Sequence, residues 1–280
     1  MFDLTGAVAL VTGATRGVGK GIALALSKAG AIVYFTGRTE EEYKGAVPLE
    51  GSLAGTEKLI RQAGGIGHGI KCDHTKDGET KSVIDKIITE HGKIDILVNN
   101  VWGGYEYFSD GTEFWKEKGF WTAPMDRFDK MFESGIRAHY ATSLFAVPHM
   151  VQAQKGLIVN LSFWAAEQND KGVAYCMAKA ATNKMTQAMA FELKGHNISV
   201  ITIYPGLVRT ESVMKSKDFF DLTNSESPEF IGNAVAALAT DSNIMEKSGT
   251  IQVAAQVALD YGFQDIDGKQ PVPLTSETCS

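Results

Sequence analysis

One run constrains the fold more than any other: Thr12-Gly13-Ala14-Thr15-Arg16-Gly17-Val18-Gly19. It follows the apolar stretch Ala7-Val8-Ala9-Leu10-Val11 and leads into Ile22-Ala23-Leu24-Ala25-Leu26. The pattern is a buried strand, a glycine turn and the start of a helix. Unpaired N–H groups at a helix N-terminus, with the helix dipole behind them, form a seat for a pyrophosphate. Glycine is required where the backbone turns tightly and approaches the ligand. The spacing is not that of a P-loop, since Ala14 stands at the first glycine position and Gly21 follows Lys20. It is not G-x-G-x-x-G either, since Ile22 stands at the third glycine. What remains is T-G-x-x-x-G-x-G, with Gly13, Thr15, Arg16, Gly17, Val18 and Gly19 as candidate cofactor-binding residues.

Apolar runs of strand length recur at 7–12, 31–36, 68–72, 94–99, 157–161, 198–204 and 250–254, separated by helical patterns near 19–28, 53–63, 80–91, 125–152, 175–193 and 228–239. Strands apolar on both faces and alternating with helices predict an α/β chain with a doubly wound, Rossmann-type parallel sheet of about seven strands. At 280 residues the expectation is a single domain over 1–280. Two segments exceed a minimal version of such a fold. One is an aromatic-rich insertion at 103–124, with Tyr105, Tyr107, Phe108, Phe114, Trp115, Phe120 and Trp121. The other is a polar loop at 211–227, read as a substrate loop, which contains Phe219 and Phe220. The aromatics read equally well as a lid or as a local core.

Ligands of such sheets bind at the carboxyl ends of the strands. The second strand ends in Thr36-Gly37-Arg38, with glycine where an acid would hold a ribose 2′-hydroxyl. A guanidinium there pairs with a 2′-phosphate in fork geometry. Arg38, joined by Arg16, therefore points to NADP(H). Asp73, at the end of the third strand, is placed to accept from an adenine amino group. Asn99, at the end of the fourth, is placed to line the adenosine side.

Tyr175 and Lys179 are four residues apart and share a face if the segment is helical. A tyrosine titrates near ~10, so bringing it to about 7 needs roughly 4 kcal/mol. An adjacent ammonium and an oxidised nicotinamide ring both favour the phenolate. In the reductive direction the tyrosine gives its proton to a carbonyl oxygen.

Taken together, Thr12 to Gly19, Asp73, Asn99-Asn100, Ser162, Tyr175-Cys176-Met177-Ala178-Lys179 and Pro205-Gly206-Leu207-Val208-Arg209-Thr210 resemble the short-chain dehydrogenase/reductase family over nearly the whole chain. One branch of that family also has counterparts to Phe120-Trp121-Thr122-Ala123-Pro124 and Gly135-Ile136-Arg137-Ala138-His139-Tyr140. The resemblance implies that Tyr175 is the general acid/base, that Lys179 lowers its pKa and binds the nicotinamide ribose, and that Ser162 holds the substrate oxygen. It places Pro205, Gly206, Val208 and Thr210 at the cofactor, with Val208 and Thr210 on the carboxamide. Three positions depart from the family pattern. Val101-Trp102 puts a bulky ring where a glycine is usual, and Phe163 follows Ser162 where the pair is usually two serines. Gly135 replaces an asparagine that in many members holds a water linking the lysine to solvent.

The function this implies is reduction of a ketone or aldehyde of a small to medium apolar substrate. A nucleotide-sensing protein with little turnover and an NAD-dependent alcohol dehydrogenase remain open at this point. The net charge of −6, without a basic run, excludes a nucleic-acid surface. No stretch reaches the ~20 apolar residues of a membrane span. The first strand starts almost at once, which leaves no room for a signal peptide. Cys72, Cys176 and Cys279 lie far apart and show no metal spacing, which fits a reduced, cytoplasmic compartment. Apolar residues beyond one stripe, including Leu144 and Phe145 on the 125–152 helix and Met189 and Phe191 on the 175–193 helix, predict a homodimer or homotetramer.

Overall fold

Seven parallel strands form one sheet in the order β3-β2-β1-β4-β5-β6-β7 in the computed structural model, which describes residues 2–45, 48–104 and 119–278. The strands are β1 (Val8–Val11), β2 (Ile32–Gly37), β3 (Ile66–Lys71), β4 (Ile96–Asn99), β5 (Gly156–Leu161), β6 (Ile198–Tyr204) and β7 (Ile251–Val253). The order reverses between β1 and β4, which pair in the register Leu10 to Leu97. That reversal opens a crevice at the carboxyl ends of the strands.

The two faces of the sheet are read off by alternation. Ala9, Val11, Val33, Phe35, Val98 and Ile201 turn to one side, and Val8, Leu10, Tyr34, Leu97, Ile158 and Val200 to the other. The first side is covered by α1 (Gly17–Lys28), α2 (Leu53–Gln62), α8 (Pro228–Thr240) and α9 (Ala254–Tyr261). The second is covered by α3 (Asp77–His91), α5 (Ala138–Ala153) and α6 (Val173–Leu193). Strands apolar on both faces are possible only because both faces are covered. The edge strand β3 is exposed or half-exposed along its whole length.

One predicted element differs in kind. The helix expected over 125–152 divides into α4 (Met125–Phe132), a five-residue π turn at Glu133–Arg137, and α5. A π turn is a wide turn inserted into an α-helix, often at a functional site; here it contains Gly135. The 211–227 loop carries a short helix, α7 (Glu211–Lys215), capped by the Thr210 hydroxyl, which accepts from the Val213 N–H at 3.3 Å. Most of the aromatic insertion, residues 105–118, lies outside the described residues. Phe120 and Trp121 are described; they are exposed and meet edge to face at 5.6 Å.

Candidate active site

The glycine turn sits over the reversal point. Gly13 and Gly17 have φ of +70° and +57°, a region that disfavours any side chain. A Cβ on Gly19 would stand 2.3 Å from the Gly13 carbonyl and 2.4 Å from Asn100 Nδ2. Asn100 clamps the turn: its Nδ2 donates to the carbonyls of Thr12 at 2.9 Å and Gly13 at 2.8 Å. The segment after β6 closes the other side, with Thr210 Cγ2 3.4 Å from where a Gly17 Cβ would be. Backbone N–H groups at the head of α1, around glycines that let a ligand approach closely, fit a dinucleotide pyrophosphate.

Glu211 reaches the same place. Its Oε2 accepts from the Gly17 N–H at 2.8 Å, and its Oε1 pairs with Lys20 Nζ. The sequence pattern assigns this residue only to a loop.

At the end of β2, Gly37 leaves no space for a side chain, because a Cβ would meet Thr15 Cγ2 at 2.3 Å. Arg16 turns toward the β2–α2 connection, donating from Nη2 to the Gly51 carbonyl at 3.1 Å and Thr39 Oγ1 at 3.4 Å. Arg38 is exposed at the strand end and acts electrostatically on Asp73. Burial works to raise the Asp73 pKa, but hydrogen bonds from Thr75, and then the charges of Arg38 and Lys76, hold it below the usual carboxylate value. The two arginines flank the end of β2.

Asn99 is placed differently from the expectation. Its side chain is fully buried, and Nδ2 donates to Ser143 Oγ and Asn160 Oδ1, both at 2.9 Å. It ties β4 to β5 and α5 instead of lining an adenosine crevice.

The chemistry-bearing residues converge at the ends of β4, β5 and α6. Lys179 is buried on α6, with Nζ 5.6 Å from the centroid of the Tyr175 ring and 3.5 Å from the Leu161 carbonyl. Burial pushes its pKa down to about 7. The Trp102 indole touches both: its centroid is 3.9 Å from Lys179 Nζ and 5.5 Å from the Tyr175 ring, edge to face.

Ser162 also departs from the expectation. It is 3% exposed and donates its hydroxyl hydrogen to the Lys179 carbonyl at 3.1 Å. In this structure the hydroxyl hydrogen expected to face a substrate oxygen is given to the helix backbone. Phe163 faces the tyrosine instead, with ring centroids 6.4 Å apart. The strand alternation explains this. Asn160 and Ser162 both turn toward α6, where Asn160 Nδ2 donates to Thr186 Oγ1 at 2.8 Å. The next residue must face the other way.

The Pro205-to-Thr210 segment is braced from beneath by a buried carboxylate. Glu226 Oε2 accepts from the Gly206 N–H at 2.7 Å, and Val208 bridges to the Glu226 backbone. Burial pushes the Glu226 carboxyl up to about 7. No feature of the sequence pattern points to this residue.

The sequence profile of the short chain dehydrogenase family matches residues 7–219. The chain belongs to the short-chain dehydrogenase/reductase family. It is 36% identical over 283 residues to the Mus musculus protein named dehydrogenase/reductase SDR family member 1, covering 95% of this chain and 85% of that one. A 7α-hydroxysteroid dehydrogenase solved with NADH and 7-oxo glycochenodeoxycholic acid matches with a TM-score of 0.74 at 28% identity, over 90% of this chain and 93% of that chain. A metagenomic short-chain oxidoreductase solved with NADP matches with a TM-score of 0.69 at 27% identity, over 89% of this chain and 96% of that chain. Short-chain dehydrogenases/reductases are NAD(P)-dependent oxidoreductases acting on small molecules. Among the described residues no helix is long and apolar enough to cross a membrane.

Proposed function

We propose that this chain is an NADP(H)-dependent carbonyl reductase in which Tyr175 is the proton donor. The observation that carries the reading is the pairing on α6: a buried ammonium, Lys179 Nζ, lies 5.6 Å from the ring of a tyrosine one turn earlier. Gly13, Thr15, Arg16, Gly17, Val18 and Gly19 hold the pyrophosphate side of the cofactor. Asp73 serves its adenine end, and Pro205, Gly206, Val208 and Thr210 its nicotinamide end. The preference for a 2′-phosphate rests on Arg16 and Arg38 flanking a strand end where Thr15 crowds out any side chain on Gly37.

When bound, the reduced nicotinamide supplies the hydride. Tyr175 gives its hydroxyl proton to the carbonyl oxygen, and the charge of Lys179 stabilises the phenolate left behind. Ser162 acts through the helix: its bond to the Lys179 carbonyl fixes the turn that carries the lysine. Trp102 and Phe163 wall the tyrosine with aromatic surface, which suits an apolar ketone or aldehyde.

In the same reading the chain assembles as a homodimer or homotetramer through α5 and α6, where Tyr140, Leu144 and Phe191 are exposed. Sedimentation of a single species of monomer mass at micromolar protein would exclude that assembly. The functional test is NADPH oxidation, followed by absorbance, across a panel of aliphatic, aromatic and alicyclic carbonyls. Turnover with at least one apolar carbonyl, faster with NADPH than with NADH, is expected. Tight NADPH binding with no turnover on any panel member would move the chain to the sensor class.

A further inference from the structure

We propose that Trp102 is a positioning residue for Lys179: its indole, seated on Gly135, holds the lysine ammonium against its face and keeps that charge beside Tyr175. This rests on the assignment of Tyr175 and Lys179 given above.

Four observations carry it. Lys179 Nζ lies 3.9 Å from the Trp102 ring centroid, well inside cation–π range. No ion pair involves Lys179 among the described residues, and the one hydrogen bond of its Nζ there, to the Leu161 carbonyl, is long at 3.5 Å. The ring can stand where it does only because residue 135 is glycine: a Cβ there would lie 2.4 Å and 2.7 Å from two indole carbons. The π turn Glu133–Arg137 is the segment that presents this bare backbone to the ring.

The segment before the indole is fixed from two sides. Asn100 N–H and Val101 N–H donate to Thr12 Oγ1 at 3.0 and 3.2 Å. His139 on α5 donates from Nε2 to the Val101 carbonyl at 2.9 Å. Burial holds His139 far below its usual pKa, at about 3, so it serves as a neutral donor. Trp102 and Gly135 are thus one device made from two positions, the ring and the gap that accepts it. An aromatic face attracts a cation without binding its protons, so the ammonium is held and its N–H groups stay available to a ribose and to Tyr175.

The test is a titration of Lys179 in cofactor-free protein, by NMR of ¹³Cε-labelled lysine, with the signal assigned by its loss in Lys179→Arg. The ionisable groups facing Lys179 are Tyr175 on its own helix and His139 on α5, so both are followed in parallel samples labelled at tyrosine and histidine. Losing the ring in Trp102→Leu is expected to lower the Lys179 pKa by about one unit, roughly a tenfold loss in preference for the charged form. Trp102→Phe, which keeps a π face, should restore most of that shift. Gly135→Ala, which pushes the ring aside while leaving it present, should reproduce the loss. In turnover, Trp102→Leu should lower kcat by about tenfold at neutral pH, with KM little changed and with Trp102→Phe in between. An unchanged or raised Lys179 pKa in both Trp102→Leu and Gly135→Ala overturns the proposal. So does a Trp102→Phe variant indistinguishable from Trp102→Leu. The titration uses no substrate, so it stands whether or not carbonyl turnover is found, and failure of the functional assignment would appear separately as an inactive parent protein.

Discussion

The two ends of the crevice are built from different material. The cofactor end, between β1 and β2, is mostly backbone: the turn from Gly13 to Gly19, the clamp from Asn100, and Thr15 packed where a Gly37 side chain would be. The chemical end is made of side chains brought from separate places. Trp102 follows β4, Gly135 lies in the π turn, Phe163 follows β5, and Tyr175 with Lys179 sits on α6. A site made of backbone depends on a contiguous motif. A site made of side chains depends on pairs that must change together, as a ring at 102 demands a bare backbone at 135.

The largest effect should come from Tyr175→Phe, which disables one end and spares the other. Removing the hydroxyl leaves the ring against Trp102 and Phe163 and touches nothing in the glycine turn. Turnover should fall by roughly 10²–10⁴-fold, the usual contribution of a positioned acid. NADP⁺ affinity, measured by fluorescence titration, should change by less than about twofold, since no phosphate contact is lost. Turnover close to that of the parent would show that the proton comes from another group.

A second test concerns the brace under the chemical end. Glu226 is buried and its carboxyl is pushed up to about 7, above the ordinary value of 4.5 that it regains on unfolding. The folded state therefore holds a proton that the unfolded state releases between those values. The resulting stability is fully present below pH 4.5 and is lost as the pH rises through 7. Over that window it amounts to roughly 3 kcal/mol. Glu226→Gln keeps an acceptor for the Gly206 N–H and carries no titrating proton. Its urea stability should be flatter than the parent's between pH 4.5 and 7. Parallel pH profiles for the two proteins would refute the assignment.

The same division governs how much was legible in the sequence alone. The parallel sheet and the glycine turn were legible, because strand apolarity and the T-G-x-x-x-G-x-G spacing are local. The neighbouring asparagines were only half legible. Asn99 looked like the ligand-facing one, yet strand alternation turns it inward to Ser143 and Asn160. The clamp belongs to Asn100, past the strand end. Ser162 and Phe163 divide the same way, one toward α6 and the other toward the tyrosine. The break at Glu133–Arg137 left only the weak signal of Ser134-Gly135, inside a stretch from Met125 to Ala153 otherwise readable as one helix. Beside it stands the ring of Trp102, more than thirty residues away in the chain, which fills the space a Cβ at 135 would need. Long-range pairs of this kind have no period to detect.

Arg38→Asp probes the side chains proposed for the cofactor end. If the NADP(H) proposal holds, the substitution replaces a charge-assisted contact with repulsion of a 2′-phosphate. The ratio of NADPH to NADH affinity should fall by about ten- to a hundredfold, with NADH binding itself little affected. A parent protein that binds both nucleotides equally would remove the reason for the preference.

The smallest effect is expected at Glu211, where the two ends meet. Its carboxylate stands on the Gly17 N–H and is paired with Lys20, at the N-terminus of α1. A carboxylate there is stabilised by the helix dipole, by about 0.3–1 kcal/mol. A pyrophosphate is drawn to the same field, so the two anions compete for it. Glu211→Gln removes the competing charge and releases Lys20. It should tighten NADP⁺ binding by about two- to fivefold at low ionic strength, and the gain should vanish near ~0.5 M salt as screening takes over. The cofactor-free protein should in turn melt slightly earlier, because the same charge no longer caps the helix. These two changes have opposite signs, which separates competition from simple loss of structure. Weaker NADP⁺ binding by Glu211→Gln at low salt would mean that the carboxylate helps hold the turn open for the cofactor instead of contesting it.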